Sequence, residues 1–404
     1  MTGIKQLSRY ISGLVFIFSG LVKGIDPMGS MYKFIDYFTA FNMDALEPLA
    51  YVLGIILCTS EFIIGFAIVT GIRMRIASWG LLLFMIGFTP LTLILAISNP
   101  VADCGCFGDA IHLTNWQTFY KNIVILVFAI IVFINRKSYR VISKPLTEWL
   151  VIAAMAVLFV LFTGYNRKHL PVVDFRPYKI GTDIREDMRI PEGAPADQFE
   201  TTLIYEKNGE EKEFTLENYP ADDTTWTFVD SETKLVKKGY TPPIHDFSLS
   251  TPDGQDLTDI VLSEPGYNLL MLSLKLSEAD QDQVTEGITR GMECMQEGIG
   301  FYLLTSSVPE GGLFEHINVL LVDETTMKTI IRSNPGYLAI KEGVITGKWA
   351  GSDIPSKEEF TEIIKSSYPP VKERGMLKVV IIISIILVIS LLINYTLRKH
   401  HKSN

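Results

Sequence analysis

Asn99-Pro-Val-Ala-Asp-Cys-Gly-Cys-Phe-Gly-Asp-Ala110 is a polar, turn-rich stretch set between two long uncharged runs. Polar punctuation between apolar runs of about 20 residues is the signature of a loop joining two membrane helices. Reading outward from it, we expect six spans, at about Ile4–Val22, Leu49–Val69, Ile76–Ile97, Phe119–Ile134, Leu146–Tyr165 and Met376–Leu397. Composition agrees: the 404 residues are 48% hydrophobic, well suited to a chain with much of its length in lipid. Lys5 and Arg9 precede the first apolar core as in a signal peptide, but no small-x-small cleavage site follows, so we read this segment as retained.

Lys and Arg in short loops set orientation. Lys5 and Arg9, then Arg73 and Arg75, then Arg136, Lys137, Arg140 and Lys144, and finally Arg398, Lys399 and Lys402 all fall on one side if the N-terminus is cytoplasmic. The opposite loops carry Asp26, Asp36, Asp44, Glu47, Asp103 and Asp109. The expected location is the bacterial inner membrane, with both termini inside and residues 167–371 extracytoplasmic. The net charge of -9 is a property of solvated surface. Basic residues cluster where topology explains them, which argues against nucleic-acid binding.

Between the fifth and sixth spans the chain is polar. Thr201-Thr-Leu-Ile-Tyr-Glu-Lys and Glu211-Lys-Glu-Phe-Thr-Leu flank Asn208-Gly209, a hairpin signal because both turn residues need positive φ. Residues 167–240 read as a β-rich linker. From Pro242 strands alternate with helices: Phe247–Leu249, Gly266–Leu274, Gly300–Ser306 and Val319–Asp323 read as strands, and about Glu278 to Glu297 as a helix. With the helix ending at Asn334-Pro335, the strand Gly336–Lys341, the turn Glu342-Gly343 and the strand Val344–Trp349, residues 241–371 resemble the thioredoxin fold. That resemblance puts Pro335 at the family's cis-proline position. It also exposes a departure: the place of the family's Cys-x-x-Cys reads Leu272-Ser-Leu-Lys-Leu-Ser-Glu-Ala-Asp, with no cysteine. Cys294, between Met292 and Met295, reads as a small buried residue.

The membrane part carries a second resemblance. Ser12-Gly-Leu-Val-Phe-Ile-Phe-Ser-Gly-Leu-Val-Lys-Gly-Ile-Asp-Pro, then Glu61 with Gly65, Thr70 and Gly71, then the Cys-Gly-Cys-Phe-Gly stretch, together resemble the DoxX/MauE group of four-helix membrane proteins over residues 4–135. The expected architecture is therefore an α-helical membrane bundle, with a four-helix core at residues 1–135, a loop and fifth span at 136–166 and the sixth span and tail at 372–404, carrying an α/β thioredoxin-like domain. MauE-like proteins are associated with maturation of disulfide-containing proteins and DoxX-like proteins with quinone-linked sulfur oxidation. The arrangement also looks like that of the vitamin K epoxide reductase family, by analogy only.

These resemblances imply a thiol/disulfide redox protein linked to a quinone, acting on extracytoplasmic protein partners. Chemically, Gly105 gives Cys104 and Cys106 the backbone freedom for a small, strained disulfide ring, and such rings are oxidising and labile. Asp103 and Asp109 are expected to raise the thiol pKa values. Three readings of the pair stand together: redox exchange, a structural disulfide or passive thiol pair, and metal binding with His112 as third ligand. Glu61, mid-span, is either a proton or quinone-site group or a carboxylate paired through Lys23 or Arg9. Cys58, one turn away, reads as packing. Thr89-Pro90 reads as a kink with the Thr hydroxyl on a freed carbonyl, and Trp116 and Tyr120 as interfacial anchors. A non-catalytic membrane scaffold, whose thioredoxin-like domain binds a partner, is the competing function. Transport lacks support in paired charges or internal repeats.

Overall fold

The computed structural model describes residues 2–101, 103–139, 144–221, 223–309, 311–314 and 316–365, together with 378, 381, 382 and 384–386. The expected sixth span lies largely outside the described residues. Among the described residues, five helices are long and apolar enough to cross a membrane, at Gly3–Ile25, Asp44–Thr70, Met74–Ser98, Asn115–Ile134 and Pro145–Lys168.

Six helices make up the first part of the chain: α1 (Thr2–Ile25), α2 (Pro27–Ala40), α3 (Ala50–Thr70), α4 (Met74–Ser98), α5 (Asn115–Ile134) and α6 (Pro145–Lys168). Helices α1 and α3 make the closest approach. A Cβ on Gly20 would lie 2.6 Å from the Cys58 carbonyl oxygen and from the Phe62 nitrogen, and one on Gly65 would lie 2.6 Å from the Ile17 nitrogen. Only glycine allows two backbones so near, and small residues at helix crossings are how membrane bundles gain dispersion contact. Helix α6 joins them through Phe159, stacked on Phe62 with ring centroids 4.3 Å apart, and through buried Glu148, which accepts from the Arg73 backbone N–H at 3.3 Å.

Three expectations need correction. Helix α5 starts at Asn115, four residues before the expected Phe119, because Thr114 and Gln117 form a reciprocal capping box there. Trp116 and Tyr120 lie exposed on its first turns, as interfacial anchors would. Helix α4 carries Pro90 in its interior, but the buried Thr89 hydroxyl has no hydrogen-bond partner among the described residues and so does not reach a freed carbonyl. Helix α2, too polar to span, was not anticipated. Its signal is Asp26-Pro27, an N-cap aspartate accepting from the Gly29 N–H at 2.8 Å followed by proline at the first helical position.

Residues up to Thr182 and from Ser248 onward form one compact unit, and Asp183–Phe247 a second. The second contains the short helix α7 (Ile184–Asp187) and an antiparallel sheet of β1 (Gln198–Lys207), β2 (Glu210–Thr215) and β3 (Thr227–Lys237), in the order β2-β1-β3. Asn208 and Gly209 turn the β1–β2 hairpin at φ 57° and 83°, as the sequence leads one to expect. Tyr205 gathers Phe214 and Phe228 edge-on at 5.8 and 5.6 Å.

The α/β part of the first unit holds α8 (Thr258–Ser263), β4 (Tyr267–Ser273), α9 (Gln281–Gln296), β5 (Gly300–Thr305), β6 (Asn318–Leu321), α10 (Glu324–Ile330), β7 (Gly336–Lys341), β8 (Val344–Ala350) and α11 (Lys357–Lys365). Its sheet runs β6-β5-β4-β7-β8, with β4, β5 and β6 parallel and β7 and β8 antiparallel additions. Strand β4 is central and its residues are buried on both faces, which explains its continuous apolar run. Phe247–Leu249 forms no strand; only Ser250 bridges to Leu321. The Asn334–Pro335 peptide is cis, and Cys294 sits in the hydrophobic core, both as expected.

The stretch after α6 binds the bundle to this sheet. Asp174, Arg176 and Lys348 are buried together: Arg176 Nε donates to Asp174 at 3.0 Å, and Lys348 Nζ to Asp174 at 2.6 Å and to the Tyr178 carbonyl at 2.9 Å. Burial works to raise the Asp174 pKa, but the two cations outweigh it and bring it to about 2.

Candidate functional site

Lys23 and Glu61 face each other where α1 and α3 cross. Lys23 Nζ lies 2.8 and 2.9 Å from the two Glu61 carboxylate oxygens, and both side chains are buried. Of the two partners expected for Glu61, Lys23 is the one that meets it. Arg9 instead donates to the carbonyls of Ile68 and Val69, at 2.7 Å each. The Ser19 hydroxyl sits between Glu61 at 2.9 Å and the Cys106 carbonyl at 2.7 Å, and accepts from Lys23 at 3.1 Å. The buried ion pair therefore adjoins the backbone of the Cys-Gly-Cys loop.

That loop is clamped from several helices. Tyr37, on α2, donates to the Cys104 carbonyl at 2.6 Å. Lys33, also on α2, reaches Asp103 at 3.0 Å. Asn115 Nδ2 donates to the Val101 carbonyl at 2.9 Å, and Phe107 packs edge-on against Phe18. Gly105 has φ +61°, and a Cβ there would lie 2.8 Å from the Lys33 side chain, so both conformation and space demand glycine. Sequence reasoning missed Lys33 and Tyr37 because they sit on the unanticipated α2. It named Lys23 only as a pairing partner.

Cys104 is buried and Cys106 half-buried, both as free thiols. The pair is electrostatically asymmetric. The adjacent Cys104 thiol, followed by Lys121 and Lys23, lowers the Cys106 pKa against the effect of burial. The same interaction, with burial, raises that of Cys104. Cys106 is the thiol that ionises first, and its thiolate is the reactive form. The expected upward push from Asp103 and Asp109 is corrected here, because cations neutralise both carboxylates. Asp103 is held well below the usual carboxylate range by the neighbouring His112 imidazole and by Lys33. Asp109 lies 2.9 Å from Arg332. His112 thus serves Asp103, at 3.6 Å, rather than a thiol pair.

Cys106 opens on a cavity of about 200 Å³. Its lining includes the apolar Phe84, Phe88, Leu91 and Leu95 of α4 and the polar Ser19, Lys23, Glu61 and Lys121. The described residues thus bring all three expected site residues, Cys104, Cys106 and Glu61, around one space. Cys58 lies outside it, buried and donating to the Ile55 carbonyl at 3.3 Å.

With five apolar helices of spanning length among its described residues, this chain is a multi-pass membrane protein in contact with the lipid bilayer. Residues 1–135 match the family model of the methylamine utilisation protein MauE, so the first third of the chain is a MauE-like membrane domain. Residues 199–238 match a domain of unknown function, DUF8463. Neither the curated proteins nor the solved structures contain a significant match.

Proposed function

We propose that this protein is a membrane thiol oxidoreductase that supports oxidation or maturation of extracytoplasmic proteins. Cys104 and Cys106 form its exchanging pair, and Glu61, with Lys23, is the proton-handling group beside it. In the oxidised form, a substrate thiolate attacks one sulfur of the Cys104–Cys106 disulfide. The second substrate thiol then resolves the mixed disulfide, so the substrate leaves oxidised and the pair remains as a dithiol. The dithiol closes again by giving up two electrons and two protons, which a membrane-soluble quinone takes up as the quinol. A lining that mixes apolar side chains with a few polar ones suits a flat lipophilic ring with oxygen substituents. Lys23 stabilises the Cys106 thiolate, and Glu61 accepts protons through Ser19.

The observation carrying this reading is the placement of Cys106, with its lowered pKa, on the cavity that also holds the Lys23–Glu61 pair. We place the loop on the extracytoplasmic side of the inner membrane and both termini in the cytoplasm. Contacts support one basic end: Lys5 lies over the Tyr139 ring and Glu148 caps the turn at Arg73. Alkylation trapping in cells tests the redox claim. Cys104 and Cys106 should shift together to the thiol form when quinone is depleted, and the Cys104→Ser/Cys106→Ser variant should leave extracytoplasmic partners reduced. Full partner maturation in that variant would end the proposal.

The α/β domain is thioredoxin-like on this reading, supported by its β6-β5-β4-β7-β8 order with three parallel and two antiparallel strands. At the end of β4, where a dithiol would stand, Ser273 Oγ and the Leu274 N–H both bond to Asn334 Oδ1, at 2.8 and 3.2 Å. That arrangement favours a binding role for the domain. If the whole protein is instead a scaffold, deleting residues 167–371 abolishes partner co-purification and the cysteine variants are silent.

A further inference from the structure

Arg332 joins the α/β domain to the candidate site. It stands between α10 and β7, yet its guanidinium is buried among groups of the membrane domain. Nε donates to Asp26 at 2.9 Å, Nη2 to Asp109 at 2.9 Å, and Nη1 back to the Lys328 carbonyl at 2.6 Å. The Tyr32 ring lies 5.2 Å from it. Asp26 caps the start of α2, and α2 carries Lys33 and Tyr37, which hold the cysteine loop from one side. Asp109 lies three residues beyond Cys106, on the other side. Both carboxylates line the cavity that Cys106 faces. One side chain therefore ties together the two supports of the loop.

The apolar packing beside this contact is incomplete. A small gap of about 50 Å³ remains between Met28 and Tyr32 of α2 and Leu274 and Ile331 of the α/β domain. Charge pairing rather than close packing thus dominates the junction at this point. A desolvated guanidinium between two carboxylates is a two-state contact: made, it is strong, and with one member removed the other charges are left buried and unpaired.

We propose that Arg332 is the positioning residue through which the α/β domain holds the Cys104–Gly105–Cys106 loop and shuts the solvent-side route to it. A protein thiol reaches Cys106 only when Arg332 leaves Asp26 and Asp109. The proposal rests on the redox reading for its biological meaning, and the cysteine-free domain then acts as a gate instead of a relay.

The test is the rate at which a charged, membrane-impermeant maleimide modifies Cys106 in the reduced full-length chain in detergent, located by peptide mapping. Detergent exposes both faces, so the rate depends on neither membrane orientation nor redox turnover. Arg332→Gln and Asp109→Asn should each speed modification at least about tenfold, as expected for breaking a buried charge contact. Arg332→Lys, which keeps the charge but not the fork that reaches both carboxylates, should fall between the parent and Arg332→Gln. Cys294, in the α/β core, should remain protected throughout, which separates opening from unfolding. If Arg332→Gln does not accumulate, Asp26→Asn gives the same reading. An unchanged Cys106 rate in Arg332→Gln or Asp26→Asn and in Asp109→Asn, with Cys294 protected, overturns the proposal. So does a lysine variant as fast as the glutamine one. A pair that is redox-inert in cells but gated by Arg332 would instead overturn only the oxidoreductase reading.

Discussion

Two cysteines separated by one glycine acquire different characters because each meets different neighbours. Cys106 lies toward Lys121 and Lys23, Cys104 toward the bundle wall and the Tyr37 hydroxyl. Alkylation of Cys106 should therefore show an apparent pKa below the ordinary thiol value of about 8.5. Lys121→Gln should move that midpoint upward, since it removes one of the charges stabilising the thiolate; a pH–rate profile with no shift would contradict the assignment. The Asp103–His112 contact gives a second pH dependence. The Asp103 carboxylate raises the His112 pKa, so its contribution is full below the ordinary imidazole value and fades as pH rises through the folded one. His112→Gln should flatten the alkaline part of the Cys106 labelling profile. Lys23→Met leaves the Glu61 carboxylate buried without its cation, and should cost about 3–5 kcal/mol, with Lys23→Met/Glu61→Leu recovering most of it in thermal unfolding.

The elements set how well these residues are held. Helices α1 and α3 touch backbone to backbone at Gly20 and Gly65, with no flexible side chain to yield. Gly20→Ala should destabilise the bundle by about 1–3 kcal/mol through overpacking. Lys23 is nearly one turn beyond Gly20, so the same substitution should also loosen the Lys23–Glu61 pair, seen as a slower Cys104/Cys106 redox cycle. Normal cycling in Gly20→Ala would mean that the crossing does not set the site. The first five spans were readable from their apolar runs, because a bilayer imposes length and composition on any helix that crosses it. Helix α2 was not, since Ser30, Lys33, Asp36 and Thr39 interrupt its apolar residues and its role depends on a loop far along the chain.

At the scale of the whole molecule, charge contacts bind the membrane bundle to the sheet. Arg332 reaches Asp26 and Asp109, and His169 reaches Asp353 at 2.7 Å. The Asp174–Arg176–Lys348 cluster anchors the stretch after α6. Asp174→Asn should leave two cations buried without their partner and cost about 3–5 kcal/mol. Limited proteolysis between α6 and the sheet should become faster, and resistance equal to the parent would deny the cluster its anchoring role. Burial lowers the Lys348 pKa to about 8, so above neutral pH the ammonium begins to lose its proton and the cluster its pairing.

Local chemistry alone settled much of this protein. Apolar runs defined the helices, Asn208-Gly209 the hairpin, and the strand pattern the α/β region with its buried Cys294. The cysteine pair and Glu61 stood out as well, because thiols flanking a glycine and a carboxylate in an apolar run are costly or reactive wherever they occur. The tertiary structure decided which charges meet. Lys23 rather than Arg9 pairs with Glu61, cations cancel Asp103 and Asp109, and Arg332 arrives from more than 200 residues away to bridge Asp26 and Asp109. Coulomb energy depends on distance and local dielectric, and neither is written in the order of residues along a chain.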